Sequence, residues 1–138
     1  MATAEFYASL DYDFSIYEGE EELRGLTIGG FNGNKPLNIN DFNQLELKAA
    51  RDIIAFKFSP IQTFNQSSTS YGLKHLVESA LKIETNGEVN YVSNGTLILA
   101  MYDAGYRIKR EKGTSPNCYF NVSKKSVDKL SKFVNSAR

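Results

Sequence analysis

The sequence predicts an α+β protein, in which an N-terminal antiparallel β pair with a helix precedes a half built of helix, turn, helix, β-hairpin and helix. Three patterns carry this expectation. Residues 4–17 alternate with a period of two, placing Phe6, Ala8, Leu10, Tyr12, Phe14 and Ile16 on one face of a strand. Leu73, Leu76, Val77, Ala80 and Leu81 recur at the spacing of one helix face. Two alternating stretches, 106–110 and 118–122, flank a segment holding Gly113 and Pro116, the pattern of a hairpin with a long tip.

In chain order, the first strand meets a charged turn at 18–22. A second strand then covers 23–31, suggested by Leu26 and Ile28, with Gly29-Gly30 weakening its end. Asn32-Gly33-Asn34-Lys35-Pro36 is turn chemistry. Asn40 is the expected N-cap of a helix that carries Phe42, Leu45, Ala49, Ile53 and Phe56 at helical spacing and stops before Ser59-Pro60. Its last part, 53–58, is a short apolar run that fits a strand equally well. Residues 59–70 are polar and read as a linker. The helix at 73–81 keeps Lys74, His75, Glu78 and Lys82 on its outer face. Asn86-Gly87 predicts a two-residue turn joining 83–85 to 88–92 as a small hairpin or tight loop. Ser93 caps a helix to Ala104, Gly105 fits the left-handed position beyond it, and Tyr106 is expected to fold back on Met101. Ser123 caps a last helix with Val127, Leu130, Phe133 and Val134 as its apolar stripe.

The 138 residues suit a single domain, 1–138. A subdivision into an acidic half, 1–60, and a basic half, 69–138, follows from the charges. The formal net charge is zero, yet residues 1–68 hold five Lys/Arg against ten Asp/Glu, and residues 69–138 hold eleven against six. From Arg107 onward there are nine basic residues and two acids. A basic end of this kind attracts polyanions; the competing reading is that the two halves neutralise each other, within one monomer or head to tail between monomers. One cysteine, Cys118, excludes an internal disulfide framework, and one histidine, His75, excludes most Cys/His metal sites. No apolar run reaches the length of a membrane span, and Met1-Ala2-Thr3-Ala4-Glu5 is not the start of a signal peptide. The expectation is a cytoplasmic protein without cofactor or metal and without a membrane partner.

The capped helix at 93–105 and the hairpin at 107–122 together resemble a winged-helix module, although the sequence shows no third helix before the wing. That resemblance implies a helix in the major groove and a wing on the DNA backbone or minor groove. The outer face expected for the helix, with Thr96, Leu99, Ala100 and Asp103, offers no side chain suited to base edges. The hairpin suits a polyanion better. Its expected outer face carries Arg107, Lys109, Tyr119 and Asn121, extended by Lys112 at the tip and by Lys124 and Lys125 beyond; Arg110 adds a further cation. The competing reading is a solvated strand face whose cations blunt an edge. The first functional expectation is thus a non-enzymatic nucleic-acid-binding protein, contacting DNA or RNA through the hairpin and final helix. The second is a protein-binding inhibitor or adaptor that docks on a basic partner through Asp11, Asp13, Glu20, Glu21 and Glu22. A small-molecule or nucleotide binder is the third. His75 has no evident catalytic partner, and Cys118 points inward as an inert thiol. The stretches Tyr91-Val92-Ser93-Asn94-Gly95-Thr96-Leu97-Ile98 and Ala104-Gly105-Tyr106-Arg107-Ile108-Lys109-Arg110 resemble small accessory and anti-defence proteins of phages and mobile elements, including anti-CRISPR inhibitors. That resemblance implies a stoichiometric binder of host or viral machinery. The alternating first strand also allows a homodimer by edge pairing.

Overall fold

The computed structural model describes residues 13–137. It is an α+β fold with four helices and two small antiparallel sheets. The elements are β1 (Leu26–Thr27), β2 (Gly30–Phe31), α1 (Gln44–Lys57), β3 (Pro60–Asn65), α2 (Ser70–Glu84), α3 (Asn94–Asp103), β4 (Ile108–Arg110), β5 (Cys118–Val122) and α4 (Lys124–Ser136).

The N-terminal expectation is corrected in detail. Residues 4–12 of the expected first strand lie outside the described residues. Over Phe14–Tyr17 the chain is a single 3-10 turn, because the Asp13 carboxylate accepts from the Ser15 N–H and closes the turn locally. Phe14 is buried whereas Ile16 is exposed, so they do not share a core face. The strand pair exists, but it lies within the segment read as one strand. Leu26 pairs with Phe31 and Thr27 with Gly30, and Ile28-Gly29 form the bend.

Asn43, not Asn40, caps α1, accepting from the Glu46 N–H at 3.0 Å; Asn40 sits in a 3-10 turn at Ile39–Asp41. The ambiguous run 53–58 is helical through Lys57. The expected linker is corrected: Pro60–Asn65 is β3, antiparallel to β5 and separated from regular register by a bulge. The Ser123 N–H donates to Ser59 O at 2.7 Å, which fastens the start of this strand to the cap of α4.

Helix α2 ends in a Schellman motif, with Gly87 N–H donating to Lys82 O and Asn86 N–H to Ile83 O. Asn86 and Gly87 both have positive φ, and this left-handed pair closes a helix where a small hairpin or tight loop was expected. Helix α3 ends as expected: Gly105 is left-handed, and the Tyr106 N–H donates to Met101 O at 3.1 Å. Ser93 and Ser123 are the caps of α3 and α4.

Helix α3 is the centre of the molecule and is buried from Asn94 to Met101. Helix α1 packs on it and buries Ala49 and Ala50, small residues that permit close approach. One continuous core runs from Phe14 to Val134, and the face of α3 expected to reach solvent (Thr96, Leu99, Ala100) lies inside it. Helix α1 covers much of this length, and the β1–β2 hairpin covers the N-terminal end. The Gly95 N–H donates to Ile28 O at 2.8 Å, and Asn94 Nδ2 donates to Gly29 O at 3.1 Å. The same hairpin reaches the β4–β5 connection, where the Phe31 N–H donates to Pro116 O at 2.9 Å.

Candidate nucleic-acid interface

The three-stranded sheet has the order β3-β5-β4, so β5 is central and the ribbon β4–β5 is extended by β3 on its far side. Pairing of Ile108 with Phe120, Lys109 with Tyr119 and Arg110 with Cys118 fixes the faces. Phe120, Cys118 and Val122 point into the core, and Lys109 and Tyr119 share the opposite face, as their alternation predicts.

On that outer face the cations gather around a ring that the sequence reading missed. The Arg107 guanidinium lies 5.0 Å from the centroid of Phe64 and the Lys109 ammonium 6.0 Å from it. Arg107 is held there by donating to the carbonyl of Gln62. The missed signal is Thr63-Phe64 itself, an aromatic beside a β-branched residue inside a polar stretch. Tyr119 is half-buried, and its hydroxyl donates to the Glu111 carboxylate at 2.9 Å. Hydrogen bonds from Ser115 and Tyr119 hold the Glu111 carboxyl below its usual range, so an anion stands near this face. The same Glu111 bond is the first cause that raises the Tyr119 hydroxyl.

Asn121 is placed differently from the expectation, whereas Arg110 keeps the face opposite Arg107 and Lys109 that its alternation predicts. Asn121 is buried: its amide donates to Ile61 O at 2.9 Å and accepts from the Arg107 N–H at 2.7 Å. Its neighbour β3 covers it, which was invisible while 59–70 read as a linker. Arg110 falls on the other face, its guanidinium 4.1 Å from the Phe31 centroid, and thereby ties the ribbon to the N-terminal hairpin. Lys124 pairs with Asp128 at 2.8 Å across one turn of α4. Lys112, at the ribbon tip, and Lys125, at the start of α4, are exposed and lie beyond opposite ends of the ribbon.

Of the acidic set, Asp11 lies outside the described residues. Asp13 caps its 3-10 turn, and the two hydrogen bonds from Ser15 lower its carboxyl. Glu21 pairs with Arg24 at 2.8 Å. Glu20 and Glu22 are exposed; behind the effect of burial, their charges help to raise the Tyr102 hydroxyl. Cys118 is buried as expected, and burial pushes its thiol up to about 12. His75 does have a partner, Glu78, with Nδ1 3.2 Å from its carboxylate.

No protein-family model, curated protein or solved structure matches the chain. Among the described residues, no cluster of three or more His, Cys, Asp or Glu could hold a metal ion, and no helix is long and apolar enough to cross a membrane.

Proposed function

We propose that the protein is a non-enzymatic binder of single-stranded nucleic acid, acting through the outer face of the β3-β5-β4 sheet without sequence preference. The observation that carries this is the arrangement of Arg107 and Lys109 around the half-buried Phe64 ring. A strand crossing such a face releases counterions to the two cations and stacks a base on the aromatic surface. Sequence reading in the major groove is not part of this proposal, because α3 is buried under α1 and, at its N-terminal end, under the β1–β2 hairpin.

The succession α1, β3, α2, α3 and ribbon also supports a winged-helix-type arrangement. On that reading α1 would take the place of the third helix, and β3, which pairs with β5, would be the module's third strand. A ribbon that contacts backbone is the mode such modules use for their wing.

The test is a salt titration with a short fluorescent oligonucleotide. For a single strand, each phosphate contact contributes about 0.7 to the slope of log affinity against log salt. Arg107→Ala with Lys109→Ala should therefore lower that slope by about 1.4. Charge reversal at Glu20, Glu21 and Glu22 should leave it unchanged. Absence of binding at low salt, or an unaltered slope in the double variant, overturns the proposal.

A further inference from the structure

A second cleft lies apart from the outer sheet face, between the N-terminal ends of α2 and α3, the bend of the β1–β2 hairpin and the tip of the β4–β5 connection. Its volume is about 480 Å³, within the usual range for a small organic ligand. The rings of Tyr71 and Tyr91 line it at 52% and 53% exposure, and the exposed Ile28 joins them, so half-exposed apolar surface concentrates here.

The polar lining is unusual. Lys74 was expected on the outer face of its helix, yet it is only 6% exposed. Its ammonium lies 4.5 Å from the Tyr91 centroid and 5.8 Å from that of Tyr71. It donates to Glu78 Oε1 at 3.0 Å, and among the described residues no second acceptor takes its other N–H groups. Glu78 is fixed in turn by the Val92 N–H at 3.2 Å and by His75. Farther along, Asn94 donates to Asn117 Oδ1 at 2.9 Å, while its own Oδ1 is buried without a hydrogen-bond partner.

The chemistry selects the occupant. Two rings favour a flat aromatic guest. The Lys74 ammonium and the Asn117 amide, which Asn94 holds in place by donating to its Oδ1, offer donors and an acceptor of the kind that read a heterocycle's edge. Because Glu78 neutralises Lys74, the floor suits an uncharged guest over a bare phosphate. We infer that this cleft binds a nucleobase, with the base against Tyr71 and Tyr91 and its polar edge toward Lys74 and the Asn94–Asn117 pair. The base belongs either to a free nucleotide or to an unpaired position of a strand. The inference does not rest on the outer sheet face.

Calorimetry and ligand-observed NMR with adenosine, uridine, their 5′-monophosphates and a short oligonucleotide test it. Nucleosides without phosphate should bind. Tyr91→Ala should weaken them roughly tenfold, the loss expected for one stacking contact, and Tyr91→Phe should restore most of the affinity. In the Arg107→Ala, Lys109→Ala variant, where the sheet face no longer holds a strand, equal affinity of nucleoside and oligonucleotide identifies the free nucleotide as the source; a tighter oligonucleotide identifies the strand. Arg107→Ala with Lys109→Ala should leave nucleoside affinity unchanged, which separates this site from the sheet face. No nucleoside binding at millimolar concentration overturns the inference. So does unchanged affinity in a folded variant carrying both Tyr71→Ala and Tyr91→Ala.

Discussion

Replacing Gly95 by alanine probes the contact that buries the start of α3. A Cβ at this position would lie 1.8 Å from Thr27 O and 2.8 Å from Thr27 C, both backbone atoms of the β1–β2 hairpin. Neither can turn aside as a flexible side chain would, so the hairpin must lift from the helix. Overpacking of this kind costs roughly 1–3 kcal/mol. Lifting also stretches the Gly95 N–H bond to Ile28 O, now 2.8 Å, whose loss adds about 1 kcal/mol. Against this, alanine gains up to about 1 kcal/mol of helix propensity over glycine. The clash and the lost bond win, leaving a net destabilisation of roughly 1–3 kcal/mol. Urea unfolding followed by circular dichroism measures it, with Gly72→Ala in α2 as the reference. No heavy atom lies within 4 Å of a Cβ at Gly72, so that substitution should be neutral or stabilising by up to about 1 kcal/mol. If Gly95→Ala raises the midpoint as Gly72→Ala does, the hairpin does not sit on α3 and the account of its burial fails.

Three further outcomes follow from the buried polar groups. Asn121→Ala should destabilise the protein by about 1–3 kcal/mol in the same urea assay, because it leaves the Ile61 carbonyl and the Arg107 N–H without their partner; a neutral result would mean that β3 does not cover β5. Lys74→Met should cost more than Lys74→Met combined with Glu78→Gln, since the single change strands a carboxylate that is only 18% exposed; additive losses in a double-mutant cycle would contradict the coupling. Cys118, buried and raised to about 12 by that burial, should resist a thiol reagent at pH 8 until the protein unfolds; rapid labelling of the native protein would refute its placement. Glu111 gives a pH effect whose sign is fixed: its folded carboxyl titrates below its unfolded value, so the stability it lends is complete above the unfolded value and disappears as pH falls through the folded one. Glu111→Gln should therefore flatten the acid limb of stability measured by thermal melts, and an unchanged limb would exclude the Ser115 and Tyr119 bonds as its cause.

The elements legible in the sequence were those whose cause is local. Ser93 and Ser123 cap their own helices, Gly105 closes α3, and Ser59-Pro60 stops α1, each through atoms a few residues away. Period-two alternation in the ribbon succeeded because its core-facing side is buried against the helices. The failures arose where a distant partner decides. Strand β3 carries no clean alternation, since its bulge breaks the period, and only β5 makes it a strand. With β3 unseen, both the Phe64 ring and the burial of Asn121 were hidden. Lys74 violates the ordinary preference of lysine for solvent: Glu78 and Tyr71 beside it on its own helix were legible, but the Tyr91 ring that folding lays against its ammonium was not. Phe14–Tyr17 failed differently: alternation was genuine, but the adjacent Asp13 offered the backbone a competing turn.

The N-terminal segment is fastened at both ends of α3. Near the beginning of the helix, Ile28 and Gly29 accept from Gly95 and Asn94. Near its end, the Tyr17 hydroxyl donates to Asp103, whose other carboxylate oxygen takes Arg51 of α1 at 2.6 Å. The exposed turn at residues 32–36 lies outside both fastenings. A protease that nicks this turn therefore cuts the covalent chain without releasing the cover, and the two fragments should travel together until a denaturant parts them.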